Sequence, residues 1–353
     1  MFGGLMCLSV AGCSFSEETP ARQGLVDLKL NVALSDGMAS TRGYEDPANT
    51  GEVMNSLRFI IVRPDGTVEH NRYLDADDFN PTTRYGYETF QVVDSEDKLV
   101  YLFVNEETTT ISNLNSAGAA TTYTSLQARL AAITPGTQFP TAEVTGWLVS
   151  LSSKDAELAL PLPMNECHKV VVPSMNEATV VEKDLWVTRA ATKFTYRIVN
   201  QTRLTTLSLS KLTIDRMAWQ EYYLLNPNSA TGNPYTNWEV TNYTVPSPQG
   251  TNNGYYQFER AYDITLPQNK MVVLPSIYLL EGKYENTGDT RNYGTTLKIN
   301  GRDFNKMLPN NSNLPRNTHV VVTVTLKDVD SDVTWEVDLY PYTAITLDPI
   351  FGI

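Results

Sequence analysis

Apolar and polar residues alternate with period two along much of the chain. The first clear run is Leu25–Leu34. Val26, Leu28, Leu30, Val32 and Leu34 interleave with Asp27, Lys29, Asn31 and Ala33, the pattern of a strand with one face in a core. Buried side chains of this size are worth about 1.5–3 kcal/mol each. Ser35-Asp36-Gly37 then reads as a turn. The small, polar run Met38–Thr41 follows and ends in Arg42 before Gly43, which has the character of an accessible trypsin-like site. A cut there would untie the first strand from the domain it helps to fill and open an apolar groove. The plain alternative is an ordinary first strand followed by a loop arginine.

The same reading predicts further strands. Leu57–Val62 is an apolar run closed by the hairpin signal Pro64-Asp65-Gly66, with Thr67–Tyr73 returning. Lys98–Val104 is the most apolar strand of the first half. Leu158, Leu160 and Leu162 alternate, and Pro163–Glu166 reads as a turn. Val170–Val172 and Thr179–Val181 continue the series. One helix is predicted over Thr124–Ile133, where Leu126, Leu130 and Ile133 recur at helical spacing before Pro135-Gly136.

In the second half, strands are predicted in Leu185–Ile198 and, as two alternating runs, in Leu204–Trp219. Met271–Pro275, Ile277–Glu281 and Val320–Leu326 add more. Asn226–Gly254 is rich in Asn, Pro, Thr and Gly and reads as long loops, of a length often tied to function. Trp335, Val337, Leu339, Pro341, Thr343, Ile345 and Leu347 keep one phase. Pro341 donates no ladder hydrogen bond, so this run is an edge strand or two strands in series. The expected fold class is all-β with a minor helix. The expected domains are 25–182 and 183–353, the second ending in a strand-like apolar tail.

Composition narrows the function classes. The 353 residues are 41% hydrophobic and 19% charged, a globular balance with room for two cores. The net charge of −13 argues against nucleic acid as a partner. Cys7 and Cys13 stand near the start and Cys167 stands alone, so no internal disulfide framework is expected. Cys167-His168 has no second Cys or His at ligand spacing and is read as structural. No phosphate loop, nucleophile elbow or HExxH pattern occurs. The expectation is a non-enzymatic chain without cofactor or metal.

Residues 1–13 are apolar and small, too short to span a bilayer as a helix and fitting the end of a secretory signal. Val10-Ala11-Gly12-Cys13 resembles a bacterial lipobox, with Cys13 as the lipid carrier. No basic stretch precedes it, which carries the expectation of a start upstream of Met1. Ser14–Glu18 resembles a lipoprotein surface-export signal, and residues 14–24 read as a flexible tether.

Taken in order, several stretches resemble the fimbrillins of the Bacteroidota type V pilus. They are the lipobox at Cys13, the first strand leading to Ser40-Thr41-Arg42, Ser56–Ile61, Val100–Asn105, Leu162-Pro163-Met164, Arg189–Phe194, Ile277–Glu281, Arg316–His319, and the ending around Phe351-Gly352. Their joint order across nearly the whole chain carries the resemblance. It implies two tandem transthyretin-like β-sandwich domains, export as a lipoprotein to the outer membrane and cell surface, cleavage after Arg42 by an Arg-specific protease, and polymerisation with other pilin subunits by strand exchange. Arg42 favours a stalk or tip subunit over an anchor, and the alternating tail favours a stalk subunit. The competing expectation is a surface glycan-binding lipoprotein that uses Trp219, Tyr222, Tyr223, Trp238, Tyr255 and Tyr256 as stacking platforms. A hydrolase would need a carboxylate pair, which nothing in the sequence marks out.

Overall fold

The computed structural model describes residues 24–35, 50–78, 86–115, 121–153, 155–217, 221–228, 234, 256–283, 293–307, 313–327 and 333–341. Among the described residues the regular structure is almost entirely β, as the alternation predicts. In the first half the strands are β1 (Leu25–Leu34), β2 (Leu57–Val62), β3 (Val68–Leu74), β4 (Gly86–Val93), β5 (Glu96–Val104), β6 (Leu148–Ser150), β7 (Met164–Val172) and β8 (Val180–Arg189). Two short helices, α1 (Leu126–Ala131) and α2 (Thr141–Thr145), lie between β5 and β6.

Seven of these strands follow the order β3-β2-β5-β7-β8-β1-β4. β7 and β8 share a ladder only at Met164 with Arg189 and Asn165 with Thr188, so the path folds there. β8-β1-β4 becomes one layer and β3-β2-β5-β7 the layer facing it. Phe90 of β4 meets Phe59 of β2 across the layers, ring centres 5.4 Å apart. The other face of the second layer is covered by the helical segment, through Tyr101 on Phe139 at 4.3 Å and Phe103 near Trp147 at 6.3 Å. β2 is therefore buried on both faces, which is why Leu57–Val62 is continuously apolar instead of alternating. Ser125 caps α1 by accepting from the Ala128 N–H at 3.1 Å, and the predicted helix is shortened to the six residues between its caps.

The predicted strand at Leu158–Leu162 does not form. Pro161 and Pro163 offer no ladder donors, and the free N–H groups bond elsewhere, Leu158 to the Tyr278 carbonyl at 3.0 Å and Leu162 to the Gly51 carbonyl at 2.7 Å. The predicted turn at Pro163–Glu166 is instead the start of β7, with Met164 opposite Val104. Its polar residues are buried because they have partners, such as Thr188 Oγ1 donating to Glu166 Oε2 at 3.0 Å. β8 carries the chain through residues 182 and 183, so this sheet extends to Arg189.

The second half contains β9 (Thr192–Asn200), β10 (Thr206–Met217), β11 (Glu221–Tyr223), β12 (Tyr256–Pro267), β13 (Met271–Val273), β14 (Ile277–Leu279), β15 (Gly282–Lys283), β16 (Gly294–Ile299), β17 (Arg302–Met307), β18 (Asn313–Leu314), β19 (Thr318–Leu326) and β20 (Val333–Pro341). One sheet runs β12-β10-β16-β17; the other runs β13-β9-β19-β20, with β14 also on β9. The two layers touch where Tyr196 Oη meets Thr295 Oγ1 at 3.0 Å, both groups buried. The two alternating runs predicted around Leu204–Trp219 are a single strand, β10. A register shift between Leu209 and Lys211 absorbs one residue and resets the phase. β20 closes its sheet path and ends at Pro341, where a missing N–H costs least.

Candidate functional site

β1 is an interior strand, although it begins the described chain. It runs parallel to β8 and antiparallel to β4. Leu28 stands opposite Val181 on one side and Phe90 on the other. Val26, Leu28, Leu30 and Val32 have no exposed surface, and Leu34 is half-buried. Both ends are fastened. Asp94 N–H donates to the Gly24 carbonyl at 3.0 Å, and Ser35 N–H donates to the Val187 carbonyl at 2.8 Å. On the outer face, Asn31 Nδ2 donates to Glu182 Oε1 at 3.1 Å and to Asp184 Oδ1 at 3.0 Å. Removing this strand would expose an apolar trough and two rows of unpaired backbone groups, on β8 and on β4.

Behind this seat the two halves of the chain are joined by buried charge. Glu52 accepts from Lys193 Nζ at 3.0 Å and from the Tyr278 hydroxyl, and its carbonyl accepts from Arg189 Nε at 3.0 Å. Arg316 is withdrawn from water and paired with Glu281; its Nη1 also donates to the Leu224 carbonyl at 2.7 Å and to Asn165 Oδ1 at 3.3 Å. Its guanidinium lies over the Tyr222 ring at 5.1 Å. Burial pulls its pKa down, but Glu281 outweighs this and the net shift is upward, so the group stays charged. The short β6–β11 ladder crosses the same junction. Asn317 N–H donates to the Ala191 carbonyl at 2.8 Å, and its side chain reaches the Ser35 carbonyl at 3.4 Å, just past the end of β1.

The stretches that carry the sequence resemblance therefore converge. Leu162-Pro163-Met164, Arg189–Phe194, Ile277–Glu281 and Arg316–His319 all line this junction: the Ala190 N–H reaches the Pro163 carbonyl at 2.9 Å, Ile277 pairs with Phe194, and Thr318 pairs with Thr192. Period-two reading did not single out Glu52, Lys193 or Asn165. Of the three, Lys193 alone lies in a stretch that carries the resemblance, Arg189–Phe194.

Cys13, Arg42 and Gly43 lie outside the described residues, as do Trp219, Trp238, Tyr255 and the tail beyond Pro341. Tyr222, named above as a stacking platform, is fully buried under Arg316 and is not available to a sugar. Cys167 is buried, its thiol pKa pushed up by burial, and His168 Nε2 donates to the Trp186 carbonyl at 2.7 Å. No group of three or more His, Cys, Asp or Glu side chains able to hold a metal ion occurs among the described residues. Among the same residues, no helix is long and apolar enough to cross a membrane.

No protein-family model matches the chain, and no curated protein matches it. Solved structures do share its fold. The tip fimbrial protein Mfa3 from Porphyromonas gingivalis, with C-terminal truncation, superposes with a TM-score of 0.55 at 13% identity, covering 89% of this chain and 99% of that one. A candidate cell adhesion protein from Parabacteroides distasonis gives 0.54 at 12% identity, covering 91% and 98%. Another from Bacteroides eggerthii gives 0.50 at 13%, covering 91% and 97%.

Proposed function

We propose that the chain is a structural subunit of a Bacteroidota type V fimbria, acting in cell adhesion at the cell surface and performing no catalysis. The observation that carries this reading is the seat of β1. A strand that starts the described fold lies in the middle of a sheet, is paired on both sides from Asp27 to Val32, and is followed within eight residues of Leu34 by Arg42. Strand and arginine together are what maturation by cutting and strand replacement requires. The likeness in fold to a tip fimbrial protein and to candidate adhesion proteins supports the same role.

In this reading Cys13 carries the lipid that holds the precursor at the outer membrane. An Arg-specific protease cuts between Arg42 and Gly43. The trough left by Leu25–Leu34 then receives a strand from another fimbrial subunit. The tail beyond Pro341, in which Thr343, Ile345 and Leu347 keep the alternation, supplies the strand donated to the next copy. Such head-to-tail contact does not close on itself and grows a filament.

N-terminal sequencing of the protein taken from native cell surfaces tests this directly. A mature chain beginning at Gly43 is the expected result. A mature start at Cys13, or at Gln23 after a cut at Arg22, would leave β1 in place and rule out exchange at this seat.

A further inference from the structure

The seat of β1 is useful to an incoming strand only if its two walls stay apart once β1 has gone. β8 is held by its continuation into the junction. β4 has β1 as its only ladder neighbour among the described residues. Its opposite edge, which faces away from β1, is met by side chains of β3. His70 Nε2 donates to the Gln91 carbonyl at 2.7 Å, and the Val93 N–H donates to Glu69 Oε1 at 2.6 Å. Arg72 Nε pairs with Glu88 Oε2 at 3.2 Å. Glu69 is itself fixed by the fully buried Lys98, 2.8 Å from its other oxygen. The His70 ring also packs on Phe90 at 5.2 Å.

We propose that Glu69, His70 and Arg72 are positioning residues that hold β4 as a fixed lip, keeping the seat one strand wide while it is empty. The inference rests on the reading that β1 leaves. Its logic is that of an exposed edge. With β1 gone, β4 and β8 each present unpaired N–H and C=O groups, and two such edges attract each other. β4 runs antiparallel to β1, and β1 parallel to β8, so a free β4 would meet β8 in antiparallel sense and close the seat. The side chains of β3 oppose that swing. They also occupy backbone groups on the outer edge of β4, which directs an added strand to the seat and away from that edge.

The test uses the full chain with residues 36–42 replaced by the recognition sequence of a site-specific protease. After cutting, the β1 fragment is displaced in mild urea, and two quantities are followed: hydrogen exchange at β4 amides, and uptake of a fluorescent synthetic peptide with the sequence Leu25–Leu34. The wild type should keep β4 protected and take up the peptide. In His70→Phe/Arg72→Ala, which leaves Glu69 and Lys98 intact, β4 exchange should rise and peptide uptake should slow, each about tenfold, the worth of one or two such bonds. The uncut variant should show wild-type exchange throughout. His70→Gln, which retains a donor for the Gln91 carbonyl, should restore uptake, and Arg72→Ala alone serves if the double variant does not fold. Uptake and β4 protection equal to wild type, within about twofold, in a variant lacking these bonds would overturn the proposal while leaving strand exchange standing. A cut wild type that neither releases β1 nor binds the peptide would overturn strand exchange, and the lip with it.

Discussion

Lys193 Nζ lies 3.0 Å from Glu52 Oε1, and both side chains are almost wholly withdrawn from water. Glu52 belongs to the short turn before β2, and Lys193 to β9, so this pair spans the two halves of the chain. Removing one member of a buried pair leaves a charge that has lost its counterpart, which costs about 3–5 kcal/mol, whereas removing both is far milder. Glu52→Gln and Lys193→Met should therefore each destabilise by about 3 kcal/mol. The double variant should cost less than the sum, as urea unfolding of all three proteins would show.

Arg316 makes a different demand. It reaches Glu281, two backbone carbonyls and Asn165 at once, and only a planar fork can do so. Arg316→Lys keeps the charge and loses the fork. It should cost about 3 kcal/mol, and the loss should be local first. Because Arg316 donates to the Tyr223 carbonyl at 2.5 Å, the amides of Glu221–Tyr223 should lose hydrogen-exchange protection before those of β19.

The strands were legible where one face meets a core and the other lies nearer water, as in β1 and β19. β2 lost its alternation because it is covered on both faces. Leu158–Leu162 misled because its period two runs through Pro161 and straight into Pro163, whose missing donors outweigh the pattern. The junction was legible only as an order of short stretches. That Glu52 meets Lys193 and Arg316 meets Glu281 depends on how the sheets dock, and no local pattern encodes it. The walls of the seat were hidden for the same reason: His70 and Glu69 read as ordinary polar residues of a hairpin, and their partners on β4 are backbone groups.

His319 sits in this junction, 2.9 Å from Thr195 Oγ1. Burial and the nearby charge of Lys193 lower its pKa to about 4, against a weaker opposite pull from Glu52. In the folded chain the ring stays neutral, while the unfolded chain takes up a proton near the ordinary histidine value of about 6.5. Between these values the unfolded state binds more protons, so stability is present above about pH 6.5 and is lost as the pH falls toward 4. The full loss is about 3 kcal/mol. In His319→Gln the stability profile should be flatter across that window, measured as the difference from wild type so that carboxylate titration cancels.

Within the seat, burial should set the order of effects. Leu30 has no exposed surface, and Leu34 is half-buried at the strand's end. Leu30→Ala in the uncut chain should cost about 2–5 kcal/mol, and Leu34→Ala clearly less. If thermal unfolding gives the two equal values, β1 is not anchored by its inner face.

The outer face of the seat has its own preference. Asn31 stands between Glu182 and Asp184 and donates one amide to both carboxylates, at 3.1 and 3.0 Å. Lys29 is opposite Glu182 in the ladder. Any strand in this place therefore meets an acidic margin on β8, and a cation or a hydrogen-bond donor at the position of Asn31 suits it. Asn31→Asp would set a third carboxylate beside the first two and remove the donor they share, at a cost of about 1 kcal/mol. Asn31→Lys should leave stability unchanged or raise it by a few tenths, roughly the worth of an exposed pair. Both effects are electrostatic and partly exposed, so the gap between the two variants should narrow markedly from low salt to about 1 M, where the screening length falls to about 3 Å. Melting temperatures of the two proteins at both ionic strengths decide the matter: a gap that ignores salt would assign the effect to packing and strip the acidic margin of any part in choosing which strand fits.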